Sequence, residues 1–564
     1  MSGVPAPTTS PVVTRRDAFA ALAREPFDVL VVGGGITGAG VARDAAMRGL
    51  RTALVEKNDF ASGTSSRSSR LVHGGVRYLE HGELRLVFES SHERRTLRRL
   101  APHLVRPLAF TWPVYAGARI SRWKLAAGLT LYDLLAVFRN VARHERLSMT
   151  GVLRREPRLL SDGLRGGARY WDALTDDARL TLATVRSAIA AGATVVNHAR
   201  VTALVRDGSR VTGARVRDEI AGGEVEVRAR AVVNATGPWS DDTERLADAE
   251  VGQAVHGSKG VHIIVPRGRV GNEAALTLLA PTDGRVFFVL PAGDFAIIGT
   301  TDTFEPVSPD EVRGSATDVA YLLDAANHFF PTAMLTRDDV ITAWAGLRPL
   351  VAGDEGADDP GAVSREHAVS ERVPGLVRVT GGKLTTYRVM ARDTVDAVQR
   401  SLGVRITPSH TGRTPLAGGA LVDPLRESGE ATTLIGDAAV AARLVHAFGD
   451  AWRAVWALGE GDAALRERIE PSRPYIMAEL RWAIEHELAC TLTDLLVRRV
   501  PLAFETRDHG RTTARRVAPW CARWLGWDET RARQAIEEFD AEVERLFAID
   551  GDRRGALPAD STTG

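Results

Sequence analysis

"FDVLVVGGGITGAGVARDAAMRGLRTALVEK", residues 27–57, reads as one βαβ unit. Val29 to Val32 is an apolar run short enough for a strand buried on both faces. Gly33, Gly35 and Gly38 follow with GxGxxG spacing, and Ile36 and Thr37 open a helix between them. Gly49 ends that helix, Thr52 to Val55 forms the next strand, and Glu56 closes it with Lys57 alongside. Gly33 permits a tight turn, Gly35 lets a pyrophosphate approach the backbone, and Gly38 lets helix and strand touch. Glu56, 18 residues after Gly38, is placed to accept hydrogen bonds from a ribose. Strand, glycines, helix, strand and acid in register imply an ADP-containing cofactor, either a nicotinamide or a flavin.

"TSSRSSRLVHGGVRYLE", residues 64–80, comes next. Thr64, Ser65, Ser66, Ser68 and Ser69 can bring N–H and O–H donors to phosphate or ribityl oxygens. After His73, Gly74 and Gly75 permit backbone contact with a flat ring, and Arg77 and Tyr78 add a cation and a phenol. A solvated serine loop is the alternative on composition alone. Far downstream, "GGKLTTYR", residues 381–388, follows the apolar stretch Leu376 to Val379. Two glycines leading into a helix expose backbone N–H groups at its N-terminus, a place for something electron-rich.

The bulk numbers exclude several classes. The chain has 564 residues, 72 basic and 71 acidic, for a net charge of +1, so nothing points to nucleic acid. Cys490 and Cys521 form no CxxC and give no metal spacing, so reduced thiols and no metal are expected. No run of 18 uncharged apolar residues exists to span a membrane. Arg15-Arg16 looks like a twin-arginine export signal, but the apolar stretch after it is too short. Residues 1–26, rich in proline and hydroxyls, read as a loose leader.

Together with "NATGPW" (234–239), "GTTD" (299–302) and "GLRPL" (346–350), these motifs give the chain a close resemblance to FAD-dependent glycerol-3-phosphate dehydrogenases. That family sits within the D-amino-acid-oxidase-like flavoproteins, and the resemblance runs from about residue 27 to 400. It implies an α/β fold with a Rossmann-like FAD-binding domain built from discontinuous segments, roughly 27–105, 175–245 and 375–400. A β-rich substrate cap would span 106–174 and 250–374. A linker at 401–419, a C-terminal helical domain at 420–550 and a tail at 551–564 complete the expected layout. Within it, Val201–Leu204 and Val211–Val216 read as a hairpin, and Ala231–Ala235 as a strand under the dinucleotide. Ile476 to Leu495 carry apolar residues at helical spacing up to Pro501. Val201, Ala235, Thr236 and Gly237 join the cofactor contacts by resemblance, as do Gly382, Lys383 and Leu384.

The substrate implied by the family is sn-glycerol 3-phosphate, oxidised to dihydroxyacetone phosphate by hydride transfer from C2 to flavin N5. A phosphomonoester needs several cations, and Arg77, Arg348 and Lys383 lie in family motifs on three segments. Tyr78 and Thr385 would add hydroxyl contacts. A helix N-terminus at Gly382-Lys383-Leu384 would offer about half a positive charge to the reduced ring. His262 matches the family's candidate base, with Arg348 and Lys383 as its catalytic companions and His73 as the rival base. Val261 departs from the small polar residue expected beside that histidine.

Quinone is the acceptor the resemblance implies, with dioxygen and peroxide release as the alternative. Residues 105–140 mix Trp112, Tyr115 and Trp123 with several arginines ahead of the apolar run Leu125–Phe138. That mixture suits either a headgroup-level membrane segment or a buried core helix. The expected location is cytoplasmic and peripheral on the inner face of the cell membrane, with a homodimer admitted. Competing readings are an amine or amino-acid oxidase and a flavin-binding regulator without turnover.

Overall fold

The computed structural model describes residues 14–137, 140–250, 252, 255–304, 308–351 and 366–551. The outer leader (1–13), the tail from 552 and Phe138-Arg139 lie outside the described residues, as does 352–365 within the expected cap.

Phe27–Val32 is the central strand of the first sheet, and four of its six residues expose 0–7% of their surface as an unbroken run, Val29 to Val32. Both faces are covered, so the run is continuously apolar rather than alternating. Its parallel neighbours are Thr52–Val55 on one side and Glu224–Asn234 on the other. Leu376–Gly381 extends the sheet beyond Glu224–Asn234, and Thr194–Val196 extends it beyond Thr52–Val55. Three stretches far apart in the chain therefore build one nucleotide-binding sheet. The hairpin Ala199–Asp207 and Arg210–Asp218 forms with its two strands antiparallel and leads into Glu224–Asn234.

The helix Ile36–Met47 starts directly after the central strand. Gly33 adopts φ +107°, and a Cβ there would lie 2.6 Å from the Ala235 carbonyl oxygen. A Cβ on Gly38 would sit 1.9 Å from the Gly33 carbonyl oxygen. The strand-to-helix turn and the helix-to-strand contact thus leave no space for a side chain at either position.

The second sheet has ten strands, mostly antiparallel, and roofs the first. Arg106–Tyr115 pairs with Leu164–Leu174, and Val255–Pro266 runs along Thr342–Val351. Trp112 is buried in this sheet and Tyr115 donates its hydroxyl to the Leu160 carbonyl, so neither belongs to a surface segment. Within 105–140 the helix Arg122–Leu135 exposes one face to solvent. Its inner face buries Leu125, Leu129 and Tyr132, while Trp123 is 75% and Leu134 55% exposed.

Beyond residue 420 the chain is helical, including Ala438–Phe448, Met477–His486, Arg511–Leu525 and Glu529–Phe547. The apolar periodicity at 476–495 does not give one helix. The helix ends at His486, Leu488 takes φ +57°, and a π-helical turn Asp494–Arg499 follows. At the break Glu487 turns its buried carboxylate inward to Arg179 at 2.7 Å. The helical part is not a separate body. Trp344 and Ile264 of the second sheet share one apolar core with Phe504, Trp452 and Phe539.

The leader also differs from expectation. Thr14 caps a helix Arg15–Ala21 by accepting from the Asp17 N–H. Ala18 and Leu22 are buried, and Arg15 pairs with Asp218 at 2.8 Å. The first arginine of the apparent export signal is thus a structural ion pair.

Candidate active site

A cavity of about 550 Å³ opens between the two sheets. Gly33, Gly35, Ile36 and Thr37 line it from the first turn, and Glu56 and Lys57 from the end of Thr52–Val55. Gly35 has room on its cavity side, where an added Cβ would meet only the Ser65 hydroxyl at 3.1 Å. Ser65 accepts from the Ile36 N–H at 3.0 Å, tying the serine loop to the helix start. Glu56 accepts from the Gly34 N–H at 2.6 Å and the Asn58 N–H at 2.9 Å. Burial raises its pKa while those N–H groups and Lys57 oppose the rise. Lys57 pairs with Asp310 at 2.9 Å and lies 4.1 Å from the Trp239 ring centroid. Val201, Ala235, Thr236 and Gly237 line the same end, with Thr236 donating to Asn234 Oδ1 at 2.7 Å.

The serine loop divides. Thr64, Ser65 and Ser69 line the cavity, and Thr64 donates to the Leu347 carbonyl at 2.6 Å. Ser66 and Gly74 lie off the cavity wall. Ser66 is packed inward, and Gly74 is small because Tyr132 Oη would lie 2.2 Å from a Cβ there. The Gly74 N–H donates to Asp172 Oδ1 at 3.0 Å, and Tyr132 donates to the same oxygen at 2.7 Å. Gly74 thus serves packing behind the site, whereas Gly75, at φ +77°, does line it.

At the other end His73, Arg77, Tyr78, His262, Arg348 and Lys383 come together from four segments. Lys383 is half-buried, its buried Nζ has no hydrogen-bond partner among the described residues, and it lies 4.4 Å from the Tyr78 ring centroid. Arg77 approaches the same ring at 5.1 Å. Burial lowers the Lys383 pKa, Tyr78 opposes the change and Arg77 adds to it. Arg348 donates to Asp302 Oδ1 at 3.0 Å and to Thr300 Oγ1 at 2.9 Å, so its fork is held from behind. His262 stacks on Trp344 at 5.1 Å and 11°. Burial first, then Arg348 and Arg70, push its pKa down to about 3, which keeps it neutral. His73 is likewise held well below the usual imidazole range by burial, Lys383 and Arg77.

The "GGKLTTYR" segment differs in detail from the expected helix start. Gly381 and Gly382 are left-handed and Lys383 is extended, so a 3-10 turn, Leu384–Thr386, precedes the α-helix Tyr387–Ser401. Gly382, Lys383, Leu384 and Thr385 all line the cavity. The Thr385 hydroxyl, however, is engaged with the His73 backbone, N–H and carbonyl both at 3.2 Å. It clasps two cavity walls together rather than projecting between them.

Several residues were not singled out from the sequence. Arg67 lines the cavity, donates to the Ser62 carbonyl at 3.0 Å, and has its pKa lowered to about 10 by burial. Asp177 accepts from Ser68 at 2.7 Å, and burial lifts its pKa to about 6. Its place at the start of the Asp177–Ala190 helix, facing a serine-rich loop, was the signal that could have found it. Among the described residues one trio has metal-ligand proximity, His198, Cys490 and Asp494. Asp494 there already accepts from His198 at 3.1 Å, Arg498 at 2.9 Å and the Cys490 N–H at 2.9 Å.

Residues 28–397 match the family described as FAD dependent oxidoreductase, and 409–532 match the C-terminal domain of alpha-glycerophosphate oxidase. Glycerol-3-phosphate dehydrogenase 2 of Mycobacterium tuberculosis is 40% identical over 551 residues, 96% of this chain and 92% of the relative. The chain belongs to the FAD-dependent glycerol-3-phosphate dehydrogenase family. The aerobic glycerol-3-phosphate dehydrogenase of Staphylococcus haemolyticus is 33% identical, covering 93% of this chain and 95% of its own length. A glycerol-3-phosphate dehydrogenase of Bacillus halodurans, solved in complex with FAD, superposes with a TM-score of 0.78 at 32% identity. It covers 95% of this chain and 98% of its own. As in this family, the cofactor is FAD. The residues fit it: a glycine turn in which Gly33 and Gly38 have no room for a Cβ lies at one end, and a buried ammonium with no hydrogen-bond partner among the described residues lies at the other.

Proposed function

We propose that this family member oxidises sn-glycerol 3-phosphate to dihydroxyacetone phosphate and passes the electrons to a quinone. The observation that carries the substrate reading is the Lys383 ammonium, buried and without a hydrogen-bond partner among the described residues, in a cavity shared with Arg77 and Arg348. Three cations at one end favour a compact dianion, and a phosphomonoester meets that demand. The relatives' names supply the same substrate independently.

FAD would be held by Gly33, Gly35, Glu56, Ser65 and Thr236 at its nucleotide end and by Gly75, Gly382 and Lys383 at its ring end. Bound there, it would supply a two-electron acceptor for the hydride that leaves C2. The chain's own residues do the remainder. Arg348, braced by Asp302 and Thr300, presents a fixed guanidinium to phosphate. Arg77 and Lys383, both against Tyr78, bind the second flank or the C2 oxygen. His262, neutral and buried, takes the C2 hydroxyl proton. A dianion neutralising the nearby Arg348 raises the affinity of His262 for that proton, so substrate binding itself activates the base.

The exposed face of Arg122–Leu135, with Trp123 and Leu134 beside Lys124, supports peripheral contact with a lipid headgroup layer. Among the described residues no helix is long and apolar enough to cross a membrane. Dioxygen is the second acceptor reading, favoured by the oxidase named in the family description for 409–532.

The test mixes FAD-loaded protein anaerobically with sn-glycerol 3-phosphate and then adds a soluble quinone or air. Bleaching followed by fast reoxidation with quinone and slow reoxidation with air is expected. Fast reoxidation by air with peroxide release selects the oxidase, and an unchanged yellow spectrum rejects both.

A further inference from the structure

Among the described residues His262 makes one side-chain hydrogen bond, and it is not to another acid or base. Its Nε2 lies 2.8 Å from the Ser69 hydroxyl, on the loop that lines the cavity. Its Nδ1 is buried with no hydrogen-bond partner. The ring cannot turn away to find another contact. Trp344 covers one side at 5.1 Å, and on the other Gly299 is so close that a Cβ there would lie 2.3 Å from His262 Cδ2. The serine is fixed too, because the neighbouring Ser68 donates from both its N–H and its hydroxyl to the buried Asp177, at 3.0 and 2.7 Å. A clamped imidazole and a clamped hydroxyl therefore face each other in hydrogen-bond contact at the cavity wall.

We propose that the Ser69 hydroxyl is a catalytic group that carries the substrate's hydroxyl proton to His262 Nε2. This rests on the reading of His262 as the base. In the step, the substrate O–H bond breaks and its proton joins Ser69 Oγ while the Ser69 proton passes to His262 Nε2. The C2–O bond becomes a carbonyl as the C2–H electron pair leaves as hydride to the acceptor that FAD supplies. Ser69 ends neutral and His262 ends as imidazolium, so charge and atoms balance. The geometry gives Ser69 a role different from that of Thr64 and Ser65, whose hydroxyls are bonded to the Leu347 carbonyl and the Ile36 N–H.

The test uses FAD-loaded wild type, Ser69→Ala, Ser69→Thr and His262→Ala in anaerobic stopped flow with sn-glycerol 3-phosphate. FAD content is read from the absorbance spectrum of each. Ser69→Ala should keep FAD and substrate affinity while slowing bleaching about 10²-fold, the scale of acid–base contributions. Ser69→Thr, which restores a hydroxyl, should recover part of the rate. In mixtures of light and heavy water the wild-type rate should fall along a curve, two protons moving together, and Ser69→Ala along a straight line. Bleaching of Ser69→Ala at the wild-type rate overturns the relay, and so does loss of FAD from that variant, which makes Ser69 a cofactor ligand. Fast Ser69→Ala with slow His262→Ala sinks the relay alone. Fast His262→Ala removes the base reading on which it stands.

Discussion

Arg348 lines the cavity with both terminal nitrogens already bonded, one to Asp302 and Ser258 and the other to Thr300 and the Thr301 carbonyl, and that commitment makes it a rigid anchor. Arg348→Ala should raise KM for sn-glycerol 3-phosphate through a loss of about 2–5 kcal/mol, while FAD stays bound. Steady-state kinetics with a spectrum of the purified variant check both halves. Asp302→Asn should give a smaller rise in KM, because the guanidinium remains but loses its brace. His262 gives a pH prediction. Its folded pKa of about 3 lies below the ordinary imidazole value, so on acidification the unfolded chain takes a proton that the folded chain refuses. The stabilising contribution is complete above the unfolded pKa and is lost as pH falls toward the folded one. The stability of wild type relative to His262→Gln should therefore decline between about pH 7 and about pH 4 in thermal melts. A constant difference would mean that His262 takes up its proton as readily in the folded chain as in the unfolded one. The residue identities at this end of the cavity were readable because they sit in family motifs. Their partners were not: nothing in "GTTD" announces that Asp302 braces Arg348, or that Thr385 clasps His73, since those contacts join segments dozens to hundreds of residues apart.

The βαβ unit is the element in which sequence and structure agree most fully, and Gly38 shows why. Its Cβ would collide with a backbone oxygen at 1.9 Å, which no rotamer change relieves. Gly38→Ala should push the helix Ile36–Met47 off its strand and abolish FAD retention, with overpacking costing about 1–3 kcal/mol. Yellow colour and an unchanged melting temperature in that variant would contradict the tight contact. Parallel strands with continuous apolar runs and glycine turns are local signals, and so were legible. The failures were of another kind. The apolar spacing at 476–495 suggested one helix because periodicity cannot show that Glu487 turns inward to Arg179. The aromatic and basic mixture at 105–140 could not reveal that Trp112 points into the roof sheet while Trp123 points outward. The capped helix Arg15–Ala21 was missed because Thr14-x-x-Asp17 is too short a signal beside a proline-rich leader.

At the scale of the whole molecule, the C-terminal helices act as a wall for the site. Phe504 meets the Trp344 ring edge-on at 5.5 Å, and Trp344 carries His262 on its face. Thr342 fixes the same wall by donating to the Phe504 carbonyl at 2.9 Å. Arg499 reaches Asp59 at the end of the nucleotide-binding sheet, both buried. Arg499→Ala leaves that carboxylate with Arg498 and Asn197 alone and should cost about 1.5–3 kcal/mol, seen as a lower urea midpoint. An unchanged midpoint would show that Arg498 alone neutralises Asp59. Because the helical part backs His262, the proposed base, while the glycine cradle and the cations come from the two sheets, the proposed reaction needs the molecule intact. The most direct measurement is anaerobic stopped-flow bleaching of the FAD-loaded protein by sn-glycerol 3-phosphate, with hydrogen or deuterium at C2. Complete bleaching, slower with deuterium, is the predicted result. A spectrum that stays yellow, or bleaching at one rate with both substrates, would contradict C2–H cleavage at this site as the step that reduces the cofactor.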